Sequence, residues 1–121
     1  MRPLTANKLQ EFLERFENFE GSEFRSLRVL SANSMCAVFA LQDKARAFDW
    51  ITLELEFSGV SDAQLLDESK LAFVDLSTGV SMVNENGVFG FCVGSYNNLA
   101  SFKNSPCYII SSSVKYLEGT F

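Results

Sequence analysis

The feature that most constrains the fold of this chain is a segment in which apolar and polar residues alternate strictly. Within Ile51–Phe57 every odd-numbered residue is aliphatic or aromatic, and every even-numbered residue is threonine or glutamate. Successive side chains of a β-strand point to opposite faces, so the segment predicts a strand with one face on a core and one in water. The fold must therefore contain a sheet of this two-sided kind.

Further strand-length segments lie at hairpin-sized steps along the chain. Apolar and β-branched residues predict strands over residues 24–30, 35–41, 71–76, 80–83 and 88–93. Between the last two, Asn86-Gly87 favours a type I′ turn, because both central positions of that turn need positive φ. A long final strand is predicted from Pro106 to just before Gly119, and we expect one of its faces to carry Tyr108, Ile110, Ser112, Val114 and Tyr116.

The N-terminal segment has helical periodicity instead. An apolar stripe at helical spacing predicts a helix from Ala6 to about Phe19, and the stripe consists of Leu9, Phe12, Leu13 and Phe16. Thr5 is the expected N-cap and Gly21 the expected stop. Glu11 precedes Arg15 by four residues, which favours an ion pair along the helix.

These elements predict a single α+β domain over residues 1–121. The length is close to the commonest domain size, and 47% hydrophobic residues with twelve phenylalanines suffice for one core. Residues 61–69, with about one turn of helix, and 95–105 are predicted loops. No connection has the length of a helical crossover, so we expect the N-terminal helix to pack on one largely antiparallel, meander-like sheet of about seven strands.

The absence of histidine restricts the chemistry available to the chain. Histidine is the usual general base at neutral pH, the usual partner of nucleophilic serine or cysteine, and the commonest transition-metal ligand. The cysteines, Cys36, Cys92 and Cys107, are widely spaced, so we expect buried free thiols and no zinc site. The glycines of residues 87–94 match no phosphate-binding motif. We therefore expect no enzyme, no metal and no cofactor.

Charge and targeting signals narrow the partners and the location. Fifteen acidic and ten basic residues give a net charge of −5, which argues against a nucleic-acid partner. The first residues lack the apolar core of a signal peptide, and no apolar run approaches the ~20 residues of a membrane span. Three cysteines without paired spacing are typical of a reducing compartment. We expect a cytoplasmic protein with no membrane partner.

Aromatic and acidic residues outside the predicted core are the candidate binding residues. Trp50 is in phase with the polar face of its strand, and tryptophan and tyrosine commonly anchor protein interfaces. Acidic side chains would steer a basic partner. We predict a protein-binding surface, anchored by Trp50, that consists of Asp49, Trp50, Asp62, Asp67, Glu68 and Tyr96. The alternative is that Trp50 packs under a loop and that the tyrosines cap a second small core. A third interpretation is that the acidic side chains are simply solvated charges on the surface. Catalysis by a pair of carboxylates is the weakest option.

Two stretches, Phe48–Val60 and Ser105–Tyr116, carry a resemblance to known proteins. They resemble small uncharacterised bacterial proteins of one-domain length, and the chain is similar in size and acidity to the immunity proteins of bacterial polymorphic-toxin systems. The resemblance implies a non-enzymatic inhibitor whose partner is a basic toxin domain.

Two other functions compete with this one. A small-molecule-binding β module would enclose an apolar pocket, lined by Phe39, Phe57, Phe73 and Phe91, whereas an inhibitor would have a solid core. The chain could also serve a purely structural or assembly role, and the composition is compatible with each of the three.

Overall fold

Nine strands form two antiparallel sheets in the computed structural model, which describes every residue from Met1 to Phe121. The five-stranded sheet has the order β1-β9-β4-β3-β2 and consists of β1 (Arg2–Leu4), β2 (Glu23–Ser31), β3 (Ser34–Asp43), β4 (Asp49–Ser58) and β9 (Ser113–Thr120). The four-stranded sheet has the order β5-β8-β7-β6 and consists of β5 (Asp62–Gln64), β6 (Val80–Glu85), β7 (Val88–Val93) and β8 (Tyr108–Ser111). The predicted α+β class with antiparallel pairing is confirmed, and the single sheet of about seven strands is wrong.

The predicted final strand is divided between the two sheets at Ser112. The backbone N–H of Ser112 donates to the carbonyls of Ser58, at 3.1 Å, and Gly59, at 3.2 Å. Gly59 has a φ of +66°, and a Cβ there would collide with the Ser112 side chain. The interruption reverses which residues face inward. The expectation of one shared face is therefore wrong, because Val114 joins the main core whereas Ile110 belongs to a separate cluster.

The main core lies between the inner faces of the two sheets. Phe91 of the four-stranded sheet contacts Phe57 and Phe39 of the five-stranded sheet, with ring centroids 5.3 and 6.0 Å apart. All three rings are fully buried. The predicted inward face of β4 is confirmed, since its odd-numbered apolar residues are all buried: Ile51, Leu53, Leu55 and Phe57.

The N-terminal helix α1 (Leu9–Arg15) closes one side of this core. Its apolar stripe is buried as predicted, and Phe12 lies 5.0 Å from the ring of Tyr116. The continuous helix to Phe19 is not observed, because Glu17, Asn18 and Phe19 all have positive φ and form a separate 3-10 turn. Thr5 does not cap the helix, since its hydroxyl donates to Asn7 instead, at 2.6 Å.

Two short helices lie in or next to the predicted loops, and the first begins within residues 61–69, where about one turn of helix was predicted. Helix α2 (Glu68–Leu71) takes the first residue of a predicted strand over 71–76, which does not form; Leu71 and Leu76 are buried without any strand pairing between them. Helix α3 (Leu99–Phe102) lies within the predicted 95–105 loop. The β6–β7 hairpin is as predicted, with φ of +53° at Asn86 and +81° at Gly87.

Helix α3 covers the outer face of the four-stranded sheet. Phe102 packs there with Cys92, Tyr108 and Ile110 in a second, smaller cluster. Gly90 allows this close approach, because a Cβ at that position would collide with Leu99. The outer face of this sheet is thus buried under a helix, unlike that of its partner. None of the three α-helices is long and apolar enough to cross a membrane.

Candidate interaction face

The outer face of the five-stranded sheet carries exposed aromatic and aliphatic side chains, and we call it the open face. Helix α1 and the four-stranded sheet both pack on the inner face of this sheet, whose side chains form the main core. Register along the strands places the following residues outward: Arg28, Cys36, Val38, Ala40, Gln42, Trp50, Thr52, Glu54, Glu56, Lys115, Leu117 and Gly119.

One end of the open face is apolar. Trp50 at the start of β4 is 40% exposed. Leu117 on β9 is 48% exposed and lies opposite Glu54, between this end and the charged row at the other end. The ring of Phe121 lies 5.8 Å from that of Trp50, and the guanidinium of Arg25 lies 5.0 Å from the Phe121 ring centroid, within cation–π range. Between Trp50 and Leu117, the outward positions include Ala40 and Gly119, which carry little side chain. The large apolar side chains therefore project above this part of the sheet.

The other end of the open face is charged. Arg28, Cys36, Glu56 and Lys115 form one row across four strands. No ion pair joins Arg28, Glu56 or Lys115 to another side chain. The Cys36 thiol donates to Glu54 Oε1 at 3.1 Å. Burial, together with this carboxylate, raises the pKa of Cys36 to about 12, so the thiol stays protonated and is no nucleophile at neutral pH.

This combination suits binding more than chemistry. A protein interface typically has aromatic anchors at its centre and charged groups at its margin that set orientation and association rate. The open face has Trp50 and Phe121 at one end, Leu117 near its middle, and unpaired charges of both signs at the other end. It could bind another protein surface without any cofactor.

The six predicted site residues do not share one surface. Asp49 and Trp50 begin β4, and this ten-residue strand, about 30 Å long, separates them from the segment that contains Asp62. Asp67 and Glu68 lie at the start of α2, which contacts β2. Tyr96 is half-buried against Phe102 beside the other sheet, as the second-core interpretation expects.

Asp62 is engaged within the protein. Its carboxylate accepts a hydrogen bond from the Tyr108 hydroxyl at 3.2 Å and lies 3.4 Å from Lys103 Nζ. Burial and the Asp62 carboxylate raise the pKa of Tyr108. Of the predicted set, only Trp50 therefore lies on the open face, because Asp49 directly precedes it and is in the opposite phase.

Leu117 and Phe121 were missed by the sequence analysis. The strand was treated as one uninterrupted element, and the face followed along it was the one containing Val114 and Tyr116. The signal that would have found Leu117 is the two-residue period itself, because Leu117 is out of phase with Val114 and Tyr116 and must point to the opposite side.

A second cluster of charged side chains is built into the fold. Asp43, which is fully buried, accepts two hydrogen bonds from Arg15, at 2.9 and 2.7 Å. Arg15 also donates to Glu118, at 2.6 Å, and Arg46 donates to Glu118 at 2.8 Å. The predicted Glu11–Arg15 pair is absent, because Arg15 points toward the end of β3; Glu11 instead pairs with Lys8, at 3.6 Å.

The charged cluster is electrostatically self-contained. The Arg15 guanidinium is the main cause that holds the pKa values of Asp43 and Glu118 below their ordinary range. Asp43 Oδ1 also accepts from the backbone of Ala45, at 2.9 Å. Two cations and two anions satisfy one another, so the cluster joins α1, β3 and β9 and is a structural feature.

No family model, curated protein or solved structure matches this chain. No group of three or more histidine, cysteine, aspartate or glutamate side chains is placed to hold a metal ion.

Proposed function

We propose that this chain is a non-enzymatic binding protein that engages another protein through its open face. The observation that carries the proposal is the exposure of three apolar side chains on one sheet face whose other side is a filled core. Trp50 and the terminal Phe121, which is 64% exposed, lie against each other, and Leu117 lies on the same face, opposite Glu54. Tryptophan is one of the residue types most enriched among the hot spots of protein interfaces. A partner surface would remove this apolar area from water.

The small-molecule alternative has less support. It requires Phe39, Phe57, Phe73 and Phe91 to line one cavity, but three of these rings are fully buried against one another. The fourth, Phe73, is 85% exposed and lies elsewhere. The space that a ligand would occupy is therefore filled by the core itself.

Within the class of binding proteins, we propose an immunity-type inhibitor that acts in the cytoplasm on a basic toxin domain. The net charge of −5 would accelerate association with a cationic partner. Three buried free thiols are compatible with a reducing compartment. The immunity proposal depends on the proposal that the chain binds a protein through its open face, and the two can be tested separately.

The test begins with capture of partners from the native host by the immobilised chain, followed by mass spectrometry. The same capture is repeated with a Trp50→Ala, Leu117→Ser double variant and with Phe73→Ser, which changes an exposed aromatic residue away from the open face. A genuine partner is retained by the wild type and by Phe73→Ser and is lost with the double variant. Circular dichroism first establishes that all variants are folded.

Binding of the purified partner then gives the magnitude. We expect Trp50→Ala to weaken binding by about 2 kcal/mol or more, mainly through faster dissociation. Equal loss with Phe73→Ser, or no loss with the double variant, would contradict the role of the open face. If the partner is a toxin domain whose activity persists at stoichiometric amounts of the chain, the immunity proposal fails while the binding proposal stands.

A further inference from the structure

Strand β6 is an edge of the four-stranded sheet and has β7 as its sole strand partner. The two residues that flank a two-residue hairpin turn, here Glu85 and Val88, exchange backbone hydrogen bonds, and such pairs alternate along the ladder. The intervening residues, Val80, Met82 and Asn84, therefore direct their N–H and C=O groups away from β7. An edge of this kind is a template for an additional strand.

The edge of β6 forms the floor of a groove, which we call the β6 groove. Two adjoining hollows along it share Gln10, Leu13 and Met82. Helix α1 supplies one wall through Leu9 and Leu13, and the loop around Tyr96 supplies the opposite wall at one end. The groove thus offers main-chain hydrogen-bonding groups along its floor and apolar side chains beside them.

Glutamate side chains next to the two hollows, and not within them, form the rim of the β6 groove. Glu14 accepts a hydrogen bond from Gln10 at 3.2 Å, and the side chain of Glu20 lies beside Gly79 at the start of β6. Glu14, Glu17 and Glu20 are exposed and form no ion pair, and no lysine or arginine lines either hollow. The charge of the rim is therefore complementary to a basic chain.

We propose that the β6 groove binds an extended, basic segment of a partner protein by strand addition. The segment pairs its backbone with the outward groups of Val80, Met82 and Asn84. One set of its alternate side chains points toward α1 and the turn after it, where basic residues approach the glutamates. The other set points toward the loop around Tyr96, where apolar residues lie beside Tyr96 and Val83. This site lies on a different sheet from the open face and does not depend on the proposed function of that face.

The test uses a synthetic probe, a capped hexapeptide of alternating lysine and valine, titrated into the isotopically labelled protein. We expect saturable shifts of the backbone amides of β6 in NMR spectra. Two probe isomers, N-methylated either on the lysines or on the valines, supply a matched control without any change in the protein. One set of N–H groups faces β6 and the other faces away, so one isomer should lose binding and the other keep it.

The charge requirement is tested on the protein. Glu14→Gln with Glu20→Gln should weaken binding of the lysine probe by about threefold to tenfold, as expected for exposed ion pairs. Glu56→Gln, on the open face, is the matched control and should change nothing, as should Trp50→Ala. A probe of alternating glutamate and valine should not bind.

Three results would overturn the proposal. The first is equal binding of both N-methylated isomers, because it excludes strand addition. The second is the absence of shifts in β6 at millimolar probe. The third is a concentration-dependent shift of the β6 amides without probe, together with a dimer in analytical ultracentrifugation, because a second copy of the chain would then occupy the edge.

Discussion

Replacing Arg15 by methionine should destabilise the protein through the carboxylate that it leaves behind. Asp43 is 0% exposed, and Arg15 supplies two of its hydrogen bonds, at 2.9 and 2.7 Å. Methionine retains most of the apolar stem of arginine but cannot donate. Asp43 then keeps the backbone N–H of Ala45 and the side chain of Arg46, whose Nε lies 3.3 Å from Oδ2.

The magnitude follows from this partial compensation. Removing one partner of a buried ion pair typically costs about 3–5 kcal/mol, because the remaining charge is desolvated and unpaired. The Arg15 side chain is 25% exposed and Arg46 remains in place, so we expect a loss near the lower end, about 3 kcal/mol. At a typical urea dependence of about 1.5 kcal/mol per molar, the unfolding midpoint would fall by about 2 M.

The assay is urea unfolding followed by circular dichroism at neutral pH, with Lys8→Met as the matched control. Lys8 forms an exposed pair with Glu11 at 3.6 Å, and its loss should change the unfolding free energy by less than about 0.5 kcal/mol. A loss below about 1 kcal/mol for Arg15→Met, or one equal to that of the control, would refute the assignment of the charged cluster as a stabilising feature.

Three further outcomes are expected. Because the pKa values of Asp43 and Glu118 are lowered in the folded state, their stabilisation is present above the ordinary carboxylate range and is lost as pH falls below that range and through the lowered values; unfolding free energies of the wild type should decline there more steeply than those of Arg15→Met. Phe16→Ala should cost about 3–5 kcal/mol, since the ring is buried in the main core, and a loss below about 1 kcal/mol in the same urea assay would contradict its placement. Burial raises the pKa of Cys36 and Cys92 to about 12 and that of Cys107 to about 11. Intact-mass analysis should therefore show little alkylation of the native protein and three adducts after unfolding without reductant; fewer adducts would reveal a disulfide.

Much of the local structure could be predicted because it depends on short-range physics. The alternation of Ile51–Phe57 requires one buried face, and Asn86-Gly87 requires a tight hairpin turn; both are observed. The stripe on α1 likewise has to be buried somewhere. Each of these inferences uses only the period of the hydrophobic residues or the φ preference of two residues.

The division into two sheets could not be read in the same way. It depends on one position, Ser112, where the chain bonds to Ser58 and Gly59 and changes sheets. The surrounding residues are as β-forming as any others, so the sequence alone does not mark the interruption. Leu117 is a different case, because its phase, opposite to that of Val114 and Tyr116, was available in the sequence.

The candidate site was partly predictable for a related reason. The outward direction of Trp50 follows from the phase of β4 and was predicted correctly. The loop acids were grouped with it on chemistry alone, but Asp62 lies beyond the far end of the same strand. Residue type identifies candidates for binding, whereas their assembly into a surface is a property of tertiary structure.

Site-specific photo-crosslinking in the native host tests the role of the open face most directly. A benzophenone amino acid is placed at Leu117, on the open face, or at Phe73, which is more exposed and follows α2, whose Leu71 packs in the main core on the other side of the sheet. Both variants are first compared with the wild type by circular dichroism. We expect a discrete covalent adduct with one partner protein from position 117 and none from position 73. No adduct from position 117, or the same adduct from both positions, would contradict binding through the open face.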